Sequence, residues 1–164
     1  MVKIPKISRR KFIVDLFTLT TATFALDAFW LEKYFIEINE FFIKDANRWS
    51  DNLKVIQVSD LHIQALKRNH KNLAKHINKE QPHLIIFTGD SIDRKKGHQV
   101  FDSFLSLIDE NIKKIAILGN KEYDLGVNID ELASIYKKHN GELIVNDSRR
   151  IDFEGTSVSI TGVD

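Results

Sequence analysis

The chain has 164 residues, 43% of them apolar and 29% charged, a balance that supports a folded domain and excludes a disordered tail. Its 24 Lys and Arg stand against 23 Asp and Glu, so a net charge of +1 gives no global field for a nucleic-acid partner, and none is expected. There are no cysteines, which removes disulfides, thiolate metal sites and cysteine nucleophiles together.

Charge is uneven at the start of the chain. Lys3, Lys6, Arg9, Arg10 and Lys11 meet no acid in the first eleven residues. The apolar run from Phe12 to Leu31 that follows is close to the roughly 20 residues needed to cross a bilayer core. Asp15 and Asp27 lie near its ends, where a charge costs less than the about 2.5 to 3.5 kcal/mol charged at the centre. Ser8-Arg9-Arg10-Lys11-Phe12-Ile13 resembles a twin-arginine export signal, and no small-x-small cleavage site follows it. Residues 1–35 are therefore expected to form a basic N-terminus with an uncleaved targeting or anchor segment. Membrane association would run through residues 12–31, with export across the cytoplasmic membrane. The competing reading is a basic amphipathic helix packed on a cytoplasmic domain.

A domain is expected over residues 36–164. Ile36 to Lys44 alternates at first and reads as an opening edge strand. A regular rhythm follows: LKVIQVS (53–59), a polar helix near 68–80, HLIIFTG (83–89), a helix near 97–110, and KKIAILG (113–119). Short apolar runs alternating with helical patterns indicate parallel strands buried on both faces and joined by right-handed crossovers, an α/β fold. A third helix is expected at 128–139, with Ile129, Leu132, Ile135 and Tyr136 on one face and Gly141 beyond its end. ELIVN, RRIDF and TSVSITGV read as short strands, the last two joined through Glu154-Gly155 as a hairpin.

Each parallel strand ends in polar residues: Ser59-Asp60-Leu61-His62, Thr88-Gly89-Asp90 and Gly119-Asn120. Ligands of open α/β sheets bind outside the carboxyl ends of the strands, so these blocks gather on one rim. Asp60, Asp90 and Asn120 follow one another at intervals of 30 residues, about one strand-helix-strand step. Carboxylate, imidazole and amide oxygen suit divalent manganese, iron or zinc. Asp60 and His62 can hold one ion, Asp90 can bridge to a second, and Asn120 can offer that ion a neutral oxygen. Gly89 lets the backbone approach closely there. Two such ions, about 3.5 to 4 Å apart, clamp a phosphoryl group and activate water, so no nucleophilic side chain is required.

VSDLH, FTGDSID and LGNKE resemble the first three blocks of the calcineurin-like metallophosphoesterases, D-x-H, G-D-x-x-D and G-N-H-E/D. The resemblance covers residues 36–164. It implies an α/β sandwich core and metal-ligand roles for Asp60, His62, Asp90 and Asn120, with Asp90 bridging two divalent ions. It also implies a phosphoester or pyrophosphate substrate. The basic and apolar leader points to the membrane-associated or exported branch, some of whose members cleave the pyrophosphate of UDP-2,3-diacylglucosamine.

Two departures stand out. Lys121 occupies the position of the family's histidine; its ammonium can pair with phosphate oxygens, but at an ordinary lysine pKa of about 10.4 it is a poor proton donor. The family's later G-H-x-H block has no counterpart before Asp164, so the fold is expected to stop before its C-terminal half and the sheet to lack a covering layer. His70, His76, His83, His98 and His139 are read as surface residues that do not replace those ligands. The leading function is a metal-dependent phosphodiesterase or pyrophosphatase, impaired by that truncation, with Lys121 assisting catalysis. A non-catalytic, membrane-tethered binding module of the same fold, or an α/β domain whose turns only mimic the blocks, are the alternatives.

Overall fold

The computed structural model describes residues 8–26, 36–42, 53–94, 97–153 and 156–163. The chain divides into two units, Met1–Glu40 and Phe41–Asp164.

In the first unit, α1 (Arg9–Leu26) has 18 residues, about 27 Å at 1.5 Å per residue. Phe12, Ile13, Val14, Leu16, Phe17 and Leu19 are all exposed. At 100° per residue they spread over an arc of roughly 220°, wider than a single apolar stripe, with Lys11, Asp15 and Thr18 on the remaining side. Thr20 and Thr21 turn their hydroxyls back onto the carbonyls of Leu16 (3.0 Å) and Phe17 (2.7 Å). Among the described residues no helix is long and apolar enough to cross a membrane. Asp15 and the threonines dilute the expected span, and residues 27–31 of that run lie outside the described residues.

The edge strand expected over 36–44 is not formed in 36–42; residues 43 and 44 lie outside the described residues. A strand exists only where its N–H and C=O groups meet a partner. The alternation also breaks at Phe41-Phe42, whose rings are 86% and 85% exposed.

In the second unit, the sheet is built from β1 (Val55–Val58), β2 (Leu84–Thr88), β3 (Lys113–Ile117) and β4 (Gly141–Leu143), in that spatial order. All neighbours are parallel. The helices between them are α2 (Arg68–Glu80), α3 (His98–Leu105), the short α4 (Asn120–Asp124) and α5 (Ile129–Lys138). Right-handed crossovers between strands that follow one another in space put every crossover helix on the same face. Ile85, Phe87 and Ala116 face that layer and pack with Leu73, Ile77, Phe101, Phe104, Leu132 and Tyr136. Phe101 stands edge-on to Tyr136, ring centres 5.3 Å apart, and Phe87 lies 5.7 Å from Tyr136. Such aromatic pairs add about 0.5 to 1.5 kcal/mol each beyond area burial. Ile129 is exposed, although periodicity places it on the buried face of α5.

The opposite face is not bare. Strands β5 (Asp147–Phe153) and β6 (Thr156–Gly162) form an antiparallel hairpin, with Phe153 paired to Thr156. Its Ile151, Phe153 and Ile160 pack on Leu84, Ile115 and Ile144. A Cβ on Gly162 would lie 2.7 Å from Ile144 and 2.8 Å from Ile117, so β6 runs close against the sheet. This hairpin supplies part of the covering layer that the sequence was expected to lack.

Three of the five histidines expected at the surface are buried, namely His70, His98 and His139. Each has a local reason. His70 Nδ1 accepts the Lys67 N–H (3.2 Å) at the start of α2, and its ring stands edge-on to Phe104. His98 Nδ1 lies 3.4 Å from Glu131, and His139 Nε2 is 2.6 Å from Asp102, so two rings tie α3 to α5.

Lys114 is fully buried on the helix side of β3, with Nζ donating to the carbonyls of Asp109 (3.0 Å) and Ile112 (2.8 Å). Burial pushes its pKa down to about 8 from 10.5, against the pull of Asp109 and Glu110. Between these values the unfolded chain holds a proton that the folded chain does not, so stability rises with pH through the window and is lost as pH falls through about 8. Urea unfolding at pH 7.5 and pH 10 should show wild type gaining about 2 kcal/mol relative to Lys114→Met. Parallel pH profiles for the two proteins would show that Lys114 stays charged in the fold.

Candidate metal centre

Val58, Phe87 and Ala116 form one rung across the sheet. Asp60, Asp90 and Asn120 follow that rung by two, three and four residues, so the three blocks emerge at one rim. The first two loops are joined beyond the strands: the His62 N–H donates to the Asp90 carbonyl (2.9 Å) and the Ile63 N–H to the Ser91 carbonyl (3.0 Å).

Asp60, His62 and Asp90 have φ values of 55°, 43° and 51°, all in the left-handed region that non-glycine residues rarely enter. Backbone strain of this kind costs of order 1 to 3 kcal/mol per residue and persists only where the surroundings enforce it. Here it aims the side chains. One donor atom each from Asp60, His62 and Asp90 lies within 4.8 Å of the others, the grouping of this kind found among the described residues. His62 Nε2 is 3.8 Å from Asp60 Oδ1 and 3.7 Å from Asp90 Oδ2. Asp60 is exposed and Asp90 is largely covered, so the cluster opens outward on the Asp60 side. Two carboxylates and an imidazole converging in this way form a donor set suited to a divalent ion.

His62 Nδ1 lies 3.8 Å from Asp93 Oδ1, on the ring edge away from Asp60 and Asp90. At that separation the carboxylate neighbours the ring without a hydrogen bond, on the side from which a carboxylate can orient a ligand histidine. Asp93 is held in turn by the Gln64 amide, and Gln64 accepts from Arg94 (3.3 Å).

The third block closes over Asp90. The Lys121 N–H donates to Asp90 Oδ1 at 3.0 Å. Gly119 lies so close that a Cβ there would fall 2.2 Å from Asp90 Oδ1, and a Cβ on Gly89 would fall 2.5 Å from Gly119 Cα. Asn120 opens α4 between these contacts, with its amide nitrogen 3.3 Å from Asp124 Oδ2. The amide oxygen is the atom of that side chain with lone pairs for a cation.

Sequence reasoning assigned no role to Glu122, which is buried and accepts backbone N–H groups from both the Asp90 and Gly119 loops. A signal was present: a glutamate two residues after Asn120 stands at the third position of a helix, where it can reach back to the N-cap amide. Asp93 was visible in FTGDSID but likewise given no role.

Residues 53–158 match the calcineurin-like phosphoesterase family. The chain is 31% identical over 131 residues to the uncharacterized metallophosphoesterase YkuE of Bacillus subtilis, an alignment covering 72% of this chain and 46% of that one. It is 28% identical over 102 residues to an uncharacterized metallophosphoesterase of Aquifex aeolicus, covering 60% and 39%. A second Bacillus subtilis relative, the uncharacterized metallophosphoesterase YkoQ, is 27% identical over 127 residues, covering 74% and 46%. The matched segment thus spans less than half the length of each of these relatives.

Proposed function

Because this chain belongs to the calcineurin-like phosphoesterase family, we propose that it holds divalent cations at the sheet rim and hydrolyses phosphoester or pyrophosphate bonds. The observation that carries the reading is the convergence of Asp60, His62 and Asp90 within 4.8 Å, each on left-handed backbone. Those three residues would hold one ion, with Asp90 and Asn120 the residues placed to share a second. Divalent manganese, iron or zinc there would supply Lewis acidity toward a phosphoryl oxygen and lower the pKa of water.

The chain's own residues set the rest. Asp93 stands beside the His62 ring, the Lys121 amide donates to Asp90 Oδ1, and Glu122 accepts N–H groups from both the Asp90 and Gly119 loops. Lys121 follows Asn120 directly and its backbone N–H reaches Asp90, so its side chain starts from the rim and its ammonium can pair with phosphate oxygens. It stands where the family's histidine would assist the leaving group, so its contribution is electrostatic positioning rather than proton donation.

The finer proposal is a lipid-linked or nucleotide-sugar substrate met at a membrane. Its support is the basic flank of Arg9, Arg10 and Lys11 beside the exposed apolar side chains of α1. Polybasic segments next to inserted apolar groups favour anionic bilayers.

The test is hydrolysis by the chelator-treated chain of bis(4-nitrophenyl) phosphate in solution and of a lipid pyrophosphodiester in anionic vesicles. Turnover restored by Mn²⁺ with both substrates, and faster with the vesicle substrate, is expected. Bound Mn²⁺ without turnover of either would favour the non-catalytic binding module.

A further inference from the structure

We infer that Glu122 is the positioning residue that sets the separation of Asp90 from Asn120, by clamping the loops that carry them into one rigid unit. The inference rests on the metal-centre reading and concerns a residue that is not itself a ligand. Glu122 is 2% exposed and sits in α4, a helix of 5 residues that has little hold of its own. Its Oε1 accepts the N–H groups of Ser91 (2.8 Å) and Ile92 (3.2 Å). Its Oε2 accepts those of Asp90 (3.0 Å) and Gly119 (2.9 Å). Both oxygens thus carry two donors each, filling the acceptor capacity of a carboxylate and leaving none for a cation.

Three of these amides belong to the loop after β2 and one to the loop after β3. The carboxylate therefore spans the gap between the loop of Asp90 and the loop of Asn120. The clamp also explains how Asp90 stays at φ 51°: its own N–H is held by Glu122, while its Oδ1 is held by the Lys121 N–H. The contact is closed from the far side by Gly89 and Gly119, whose backbones touch with no room for a Cβ. Charge-assisted bonds to a buried carboxylate are stronger than neutral ones, and they act here on the residues whose spacing decides whether two ions fit.

Glu122→Gln has nearly the same shape but sets an NH₂ group against two N–H donors, whichever way the amide turns. Two readouts are taken on the intact chain: amide hydrogen exchange and Mn²⁺ affinity at a temperature where both proteins are folded. In the variant, the amides of Asp90, Ser91, Ile92 and Gly119 should lose protection while those of Ile85, Phe87 and Ala116 keep it. Mn²⁺ affinity should fall roughly 10- to 100-fold, the range for residues that support metal ligands. A residue serving stability alone would lower the melting temperature and leave that affinity unchanged. Glu122→Asp, one methylene short but still charged, carries the same test if the glutamine variant does not fold, with a smaller loss expected. Wild-type Mn²⁺ affinity in a folded variant would overturn the positioning role alone. A wild-type chain that takes up no Mn²⁺ would overturn the metal-centre reading and this inference with it.

Discussion

Asp90→Asn is expected to abolish high-affinity metal uptake and to reduce phosphodiester hydrolysis by more than about 100-fold, since even a residue that merely supports a ligand costs roughly 10- to 100-fold. The substitution isolates the charge. Asparagine enters the left-handed region more readily than other residues with a side chain, so the backbone at φ 51° is preserved. Its amide oxygen can still accept the Lys121 N–H now bonded to Asp90 Oδ1. The loss falls on the Oδ2 side, 3.7 Å from His62 Nε2, where an NH₂ group would replace the anionic oxygen that faces the cluster. Thermal unfolding and Mn²⁺ titration of the same sample separate the outcomes. An unchanged melting temperature with metal uptake lost is expected; uptake at wild-type affinity would remove Asp90 from the site.

Gly119→Ala is expected to damage the centre by a different route. A Cβ at this position would lie 2.2 Å from Asp90 Oδ1 and 2.4 Å from the Asp90 nitrogen. The side-chain oxygen can swing away, but the backbone nitrogen is tied to Glu122, so the two loops must part. Overpacking of this kind costs about 1 to 3 kcal/mol, and the parting should weaken Mn²⁺ binding as well. Gly119 itself has φ −103°, so the effect is steric and owes nothing to left-handed strain. Gly126→Ala supplies the contrast: at φ +57° with nothing within 4 Å, it should cost about 1 to 2 kcal/mol of backbone strain and leave Mn²⁺ affinity untouched. Denaturant unfolding with parallel metal titrations checks both. Equal affinity in the two variants would show that the contact of the loops does not shape the site.

The parts of the fold that were legible in the sequence were those encoded locally. LIIF (84–87) and IAIL (115–118) are continuous apolar runs because both faces of β2 and β3 are covered, and such runs advertise themselves. The rim site was legible for the same reason, since each block begins where an apolar run ends. What the sequence concealed depends on partners distant along the chain. Ile36 to Phe42 has strand-like residues but no strand pairing, and His139 is polar yet buried because Asp102, 37 residues away, receives it. Glu122 carries no mark in the sequence beyond its place at the end of LGNKE. Its importance comes from amides 30 to 32 residues earlier, which only the parallel register of β2 and β3 brings to it. The covering hairpin β5–β6 was recognised as strands, while its place over Leu84 and Ile115 was not, because one antiparallel pair carries no mark of the face it will cover.

The divalent-cation centre proposed for Asp60, His62, Asp90 and Asn120 stands or falls on metal uptake. Its most direct test is titration of the chelator-treated chain with Mn²⁺, followed by the electron paramagnetic resonance signal of the free ion. Saturable uptake by wild type, lost in Asp90→Asn, is the predicted result. A free-ion signal that grows in proportion to added Mn²⁺ from the first addition, alike in both proteins, would contradict it.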